Sequence, residues 1–169
     1  GDAFAVNSRG TRKRTRKRAH KRAHKRTHQR DNHKTADQQA TLYSTALSAG
    51  GVADAKRLHG LEMSFTNILD ADAAWRVVSD FSENAVAVIK HTNPCGLSVH
   101  PDQAVAYQQA FEGDSVSAYG GIVGFNLTVT VATAEAMRRV LYDQIIAPGF
   151  EPEALEILKR RRRTRILEI

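Results

Sequence analysis

The sequence predicts an α/β domain with a mostly parallel sheet, preceded by a disordered basic tail. Two observations predict this organisation. Short apolar runs rich in β-branched residues alternate along residues 35–169 with segments whose apolar residues recur at helical spacing. The first 34 residues lack both patterns and are dominated by Lys and Arg. We therefore divide the chain into a tail (1–34) and a globular part (35–169).

The first half of the globular part contains one predicted helix and one predicted strand. Apolar residues at 74, 75, 77, 78 and 81 predict a helix over 71–81, with Asp70 or Asp72 in its first turn, where a carboxylate complements the helix dipole. The apolar run at 85–89 predicts a short, buried parallel strand. Residues 90–96 predict a loop, because proline disfavours helical geometry at the residue before it.

The second half continues the alternation of helices and strands. Pro101 and Asp102 open a helix that extends to about residue 111, since proline is favoured in a first turn. The other predicted elements are a strand at 122–125, a helix at 133–141, a strand at 145–147, a helix at 152–160 and a strand at 165–169 that the end of the chain cuts off. We expect the last strand to leave an unpaired sheet edge, which favours self-association.

The tail combines high positive charge with a short repeat. Residues 11–30 repeat with a period of four, and 12 of the 25 Lys and Arg residues lie between positions 12 and 34, where Asp31 is the single acid. The repeat contains no large apolar residue, and like charges four residues apart oppose a helix, so we predict disorder. Residues 35–169 carry 12 Lys/Arg and 16 Asp/Glu, a net charge of −4.

Three interpretations of the tail are compatible with this composition. The tail binds nucleic acid or another polyanion through phosphate contacts, or it is a solvated extension with no binding role. The third interpretation is a metal site formed by His20, His24 and His28, although the neighbouring cations oppose metal binding.

The remaining composition limits the class of protein. Cys95 is the single cysteine, which excludes an internal disulfide and fits a reducing compartment. No apolar run approaches the ~20 residues that a membrane helix needs. The N-terminus does not have the pattern of a secretory signal. We expect a cytoplasmic protein.

Lys90 and His91 are the strongest candidates for chemistry. They follow the buried strand at 85–89 directly, and ligands of open α/β sheets bind beyond the carboxyl ends of strands. Successive residues of a regular strand face opposite ways, so both side chains reach one site only if the backbone becomes irregular at His91.

Five blocks of sequence stand in a recognisable order. They are ADAKRLHG with LEMSFTNI at 53–68, KHTNPCG at 90–96, SAYGGI at 117–122, IIAPGF at 145–150 and EALEIL at 153–158. From about residue 38 to residue 169 the chain resembles the transformylase part of the bifunctional purine biosynthesis enzymes. These enzymes combine an aminoimidazole carboxamide ribonucleotide formyltransferase with an inosinate cyclohydrolase. The resemblance implies the three-layer, cytidine-deaminase-like fold that the transformylase uses twice.

The resemblance also implies a reaction and roles for individual residues. The family transfers a formyl group from 10-formyltetrahydrofolate, its co-substrate, to the 5-amino group of the ribonucleotide in purine (IMP) biosynthesis, without a metal. His91 is implied as substrate contact and proton acceptor, and Lys90 as the cation that stabilises the formyl oxygen. The complete enzyme is implied to be a homodimer. An isolated Lys-His pair would be more typical of a solvated strand end.

Gly120 matches a family glycine whose backbone approaches the substrate. Two successive glycines also fit a tight turn before a strand, and the residues alone do not separate these interpretations. Cys95 invites a zinc interpretation, since related deaminases use Pro-Cys-x-x-Cys with His-x-Glu. Ser98 occupies the second cysteine position and no His-x-Glu occurs, so we interpret Cys95 as a packing residue.

Three departures from the family pattern limit what the resemblance implies. The family segment Arg-Tyr-Gly-Glu-Asn-Pro-His-Gln corresponds here to residues 30–34, which lack Tyr, Gly and Pro, so its Arg-Tyr substrate contact is assigned to no residue. We further expect that the basic tail replaces the cyclohydrolase domain and that the second deaminase-like half is missing. We therefore expect a partial formyltransferase. The alternative is a non-catalytic protein that binds polyanions through its tail.

Overall fold

A computed structural model describes residues 51–169 of the chain. The predicted tail (1–34), its proposed disorder and the proposed metal site at His20, His24 and His28 lie outside the described residues. Within residues 51–169 no helix is long and apolar enough to cross a membrane.

Six strands and four helices make up the described part. The strands are β1 (Lys56–His59), β2 (Ala85–Lys90), β3 (Asn93–Val99), β4 (Ile122–Phe125), β5 (Gln144–Ala147) and β6 (Arg165–Glu168). The helices are α1 (Phe65–Ser79), α2 (Gln103–Glu112), α3 (Val131–Ala136) and α4 (Pro152–Lys159). Short 3₁₀ helices occupy Val52–Asp54 and Met137–Arg139.

The strands form one mixed sheet in the order β1-β6-β5-β4-β2-β3. The central strands β4, β5 and β6 run parallel, whereas β1 pairs antiparallel with β6, and β2 pairs antiparallel with both β3 and β4. The α/β class is therefore confirmed. The parallel arrangement is limited to the three central strands, and the interpretation of β2 as a parallel strand is wrong, because β2 enters a hairpin instead of a crossover.

Helices cover both faces of the sheet, which gives the three layers that the resemblance implies. Helix α1 buries Ala71, Ala74 and Val78 on one face. Helices α2, α3 and α4 pack on the other face, where Tyr107 and Phe125 are the largest fully buried side chains. Strand β2 is fully buried from Ala85 to Ile89, as its continuous apolar run predicts.

Strand β6 is an interior strand, so the expected unpaired edge at the end of the chain is wrong. Residues 56–59 form β1 and pair antiparallel with β6, with Lys56 opposite Glu168. Their sequence, Lys-Arg-Leu-His, lacks the apolar run that identified the other strands. The edges of the sheet are β1 and β3.

Helix α1 begins earlier than its apolar pattern predicts. Ser64 caps it: the Ser64 hydroxyl accepts from the backbone N–H of Asn67, and the Asn67 side chain accepts from the backbone N–H of Ser64. Asp70 therefore lies in the second turn of the helix. This position makes the Asp70 carboxylate available to a neighbouring loop.

Candidate functional site

The Lys-His pair lies at a two-residue hairpin turn. Lys90 pairs with Asn93 at the end of the β2–β3 ladder, which leaves His91 and Thr92 as the turn residues. Both have positive φ, 51° for His91 and 61° for Thr92, as a type I′ turn requires. Positive φ is unusual for a residue other than glycine and is least favourable for a β-branched one. The backbone is thus irregular at His91, and it reverses direction there.

Three hydrogen bonds hold the strained turn. The Asp70 carboxylate accepts from the backbone N–H of Thr92 at 2.8 Å. The carbonyl of His91 accepts from the Thr92 hydroxyl at 2.7 Å and from the Asn93 side-chain amide at 2.8 Å. Helix α1 and the first residue of β3 therefore fix the position of His91, while its imidazole is exposed.

The turn lies at the end of the sheet where the parallel strands begin, not at their carboxyl ends, where the sequence analysis placed the pair. Strand β2 is antiparallel to β4, so the carboxyl end of β2, at Ile89, lies opposite the first residue of β4, Ile122. Ile122 is in turn next to Gln144, the first residue of β5. Lys90 and His91 thus sit where the parallel strands begin, and the rule about carboxyl ends does not apply to them.

Lys90 joins the turn to the segment that contains the two glycines. Its ammonium donates to the backbone carbonyl of Tyr119 at 2.8 Å. That bond uses one of the three ammonium protons, so two more can donate to another acceptor. The structure therefore brings Lys90 next to Gly120, although 29 residues separate Lys90 from Tyr119 in sequence.

The two glycines serve different purposes. Gly120 has φ +72°, and a Cβ added there would meet no atom of residues 51–169 within 4 Å, so the missing side chain leaves open space in the described part of the chain. Its N–H donates to the carbonyl of Leu141 at 2.8 Å. Gly121 is required by packing, because a Cβ there would lie 2.7 Å from the carbonyl oxygen of Ile89. Gly120 thus combines the conformation of a turn with open space at its α-carbon.

The segment that leads to Tyr119 carries the acid Asp114, whose charge interacts with the Lys90 ammonium. Hydrogen bonds from Ser117 are the main reason why the pKa of Asp114 is lowered, and the Lys90 ammonium contributes to the same direction. Burial raises the pKa of the Cys95 thiol, and the Asp114 carboxylate adds to that effect. Cys95 is therefore a protonated thiol at neutral pH, which agrees with its interpretation as a packing residue.

Three features of this site were missed in the sequence. Asp70, assigned to a first turn, instead anchors Thr92. Val116 and Tyr119 are 86% and 60% exposed on the segment whose Tyr119 carbonyl accepts from Lys90. The backbone of Asp143 links two segments: its N–H donates to the carbonyl of Gly121 at 2.9 Å, and its carbonyl accepts from the N–H of Arg165. Asp143 therefore lies at the same end of the sheet as Gly121. The one signal that the sequence offered was the presence of apolar residues close to the two glycines, at Val116 and Tyr119.

No three His, Cys, Asp or Glu residues between positions 51 and 169 are grouped in a way that could hold a metal ion. Cys95 is a free, half-buried cysteine.

Comparisons with known proteins agree with the five sequence blocks. A family model described as the AICARFT/IMPCHase bienzyme matches residues 6–169, which extends the similarity into the tail. The chain is 50% identical over 135 residues to the bifunctional purine biosynthesis protein purH of Dictyostelium discoideum. It is 46% identical over 132 residues to PurH of Thermoanaerobacter sp. (strain X514), and 45% identical over 133 residues to PurH of Bacillus subtilis (strain 168).

Each of these matches covers 78% of this chain and 25–26% of the relative, so the chain spans about a quarter of the length of the curated relatives it matches. The resemblance found in the sequence is confirmed, because the family model matches nearly all of the chain. The chain belongs to the AICARFT/IMPCHase bienzyme family.

Proposed function

We propose that this chain supplies the Lys90–His91–Gly120 part of a formyltransferase site in purine biosynthesis. The substrates would be aminoimidazole carboxamide ribonucleotide and 10-formyltetrahydrofolate, as family membership suggests. The observation that carries the proposal is the 2.8 Å bond from the Lys90 ammonium to the carbonyl of Tyr119, which joins the Lys-His turn to Gly120. This bond links the block at 90–96 to the block at 117–122.

The proposed reaction forms a bond between the 5-amino nitrogen and the formyl carbon, and breaks the bond from that carbon to N10 of the folate. The amine loses a proton during attack, and N10 gains one as it leaves. His91 would accept the amine proton, because its imidazole is exposed on the turn and imidazole is the side chain that most often serves as a general base.

Lys90 would stabilise the negative charge that develops on the formyl oxygen. Its carbonyl partner on Tyr119 holds the ammonium in place and leaves protons free to donate to an oxyanion. Asp70 accepts from the backbone N–H of Thr92 and Asn93 donates to the backbone carbonyl of His91, so these bonds position the backbone that carries the His91 imidazole.

The open space at Gly120 would receive the ribonucleotide. Gly120 has a φ of +72°, and a Cβ at this position would meet no atom of residues 51–169 within 4 Å. A ligand can therefore approach the backbone there. The exposed apolar side chains of Val116 and Tyr119 would contact the flat ring system of the folate.

A chimera tests this proposal. Residues 51–169 of this chain replace the corresponding quarter of the Bacillus subtilis relative, and the product is assayed for formyl transfer and for growth of a strain lacking PurH without added purine. We expect the chimera to transfer the formyl group and to support growth.

His91→Ala in the chimera should lower turnover by about two to four orders of magnitude, the range for a positioned acid–base group. Lys90→Ala should also act mainly on turnover, since it serves the transition state.

His100→Ala is the matched control. His100 lies beyond the opposite end of the β2–β3 hairpin, where its backbone N–H donates to the carbonyl of Asn84. Its removal should leave turnover nearly unchanged. Near-normal turnover in both the His91→Ala and Lys90→Ala chimeras would show that the assigned roles are wrong.

We propose a second function, polyanion binding, for the tail. The observation that favours it is the separation of charge: residues 12–34 hold 12 Lys/Arg and one acid, while residues 35–169 are acidic overall. Phosphate contacts by Lys and Arg supply non-specific affinity for nucleic acids.

A further inference from the structure

A cavity of about 150 Å³ lies between α4 and the segment formed by α3 and the following 3₁₀ helix. It is on the face of the sheet that α2, α3 and α4 cover. Its inner wall is apolar and includes Ala134, Met137, Ile145 and Ile157. Nothing in the proposed formyl transfer uses this space.

The polar groups of the inner wall are already paired. The hydroxyl of Tyr142 lies 3.0 Å from the hydroxyl of Tyr107, and the Thr164 hydroxyl donates to the carbonyl of Tyr142 at 2.8 Å. Burial is the main cause that raises the pKa of both tyrosines, so they stay uncharged at neutral pH. The inner wall therefore favours an apolar group over a polar one.

The rim of the cavity is positively charged. Arg138, Arg160 and Arg161 line it. Arg138 pairs with Glu135 at 2.8 Å, and Arg161 donates to the carbonyl of Arg138. Arg160 forms no ion pair within the described part of the chain.

The wider surroundings of the rim are also basic. Arg139 and Arg162 adjoin rim residues in sequence and Arg163 follows Arg162, which gives six arginines in these two segments, whereas the acids next to lining residues in sequence are Glu135, Asp143 and Glu156. The C-terminal end of α4 contributes only about half a negative charge. The electrostatics at the mouth therefore favour an anion.

We infer that this cavity binds a small amphipathic carboxylate, with one ring or a branched acyl chain inside and the carboxylate on the arginine rim. A cavity of about 150 Å³ is large enough for one benzene ring. The ribose phosphate and the pterin of the proposed substrates are strongly polar, and an apolar wall whose polar groups are already paired disfavours them, so this ligand is distinct from the proposed substrates. Arginine is the side chain best suited to hold a carboxylate, through paired N–H donors.

Titration of the full 169-residue chain with benzoate, followed by calorimetry and by NMR shifts of Ile145 and Leu158, tests the inference. We expect saturable 1:1 binding with a Kd of about 1 mM or tighter, and binding of the neutral isostere benzamide at least ~10-fold weaker. Absence of saturable benzoate binding at 20-fold that concentration would overturn the inference, as would equal affinity for benzamide.

Two variants locate the site. Arg160→Gln should weaken benzoate binding at least ~10-fold, since it removes a charge-assisted donor from the rim. Arg139→Gln removes the same charge beside the cavity without lining it, and should change the Kd less than ~2-fold. Ile157→Phe should fill the cavity and abolish binding. Equal losses in the Arg160 and Arg139 variants would show non-specific attraction instead of a site, and so would full affinity in the folded Ile157→Phe protein.

Discussion

The β2–β3 turn concentrates unfavourable backbone conformation in two residues, His91 and Thr92. A left-handed conformation costs an L-residue roughly 1–2 kcal/mol, and Thr92, with a φ of 61°, is β-branched. Asp70 and Asn93 offset part of this cost by bonding to the turn. Strain of this kind persists only where surrounding contacts hold it, and it occurs often at functional sites.

We expect glycine at position 92 to be more stable than alanine. Thr92→Gly and Thr92→Ala both lose the hydroxyl, but only alanine keeps a Cβ at positive φ. The glycine variant should therefore have a free energy of unfolding about 1 kcal/mol higher than the alanine variant, measured by urea denaturation. The same pair at Thr66, in the first turn of α1, should show the opposite order, because alanine is the better helix former. An alanine variant at 92 as stable as the glycine variant would contradict a strained turn.

The sequence proposed the pair Lys90 and His91 as a candidate site but did not predict the geometry around it. The block KHTNPCG, through its resemblance to the family, selected these residues as candidates, and the structure places Lys90 beside Gly120. The hairpin itself was missed, because type I′ turns are recognised by Asn-Gly or Asp-Gly, and His-Thr is not such a signal. The contribution of Asp70 was missed for the related reason that it depends on a contact 22 residues away.

At the scale of elements, β3 and α2 pack closely enough to require a glycine. A Cβ on Gly96 would overlap the carbonyl oxygen of Ala110 in α2. Gly113, just after α2, faces β3 in the same way, with its built Cβ 2.8 Å from the carbonyl oxygen of Cys95. The two glycines of this contact let the edge strand lie directly against the helix.

Gly96→Ala should therefore lower the free energy of unfolding by about 1–3 kcal/mol, the usual range for overpacking, because the backbone of α2 must move. Gly51→Ala is the matched control: its φ of −101° suits alanine, and a Cβ there meets no atom of the described residues within 4 Å. Urea denaturation of both variants measures the difference. A Gly96→Ala protein as stable as the Gly51→Ala protein would show that α2 and β3 are less closely packed than described.

The elements that were predicted correctly and those that were missed differ in burial. The apolar runs of β2, β4 and β5 are fully or almost fully buried, so hydrophobicity alone identified them. Strands β1 and β3 are edges with one neighbour each, and their residues are partly exposed. Edge strands need no apolar run, and tertiary pairing decides their structure.

For the whole molecule, positive charge is distributed unevenly between the tail and residues 35–169. The formal net charge of +7 combines a strongly basic tail with a remainder of −4. That remainder still contains a basic surface, the arginines between Arg160 and Arg163. Retention on heparin therefore has two potential sources, and they differ in the density of charge that they present.

We expect the tail to account for nearly all polyanion binding. Removal of residues 1–34 should abolish retention on heparin at 0.15 M salt, where the screening length is about 8 Å, because the remaining chain is acidic overall. The double variant Arg162→Gln/Arg163→Gln in the full chain is the control and should elute near the unmodified protein. On duplex DNA, the full chain should lose affinity steeply with salt, with a log–log slope of about −0.9 per phosphate neutralised. Retention of the shortened chain at unchanged salt would instead assign polyanion binding to the folded part.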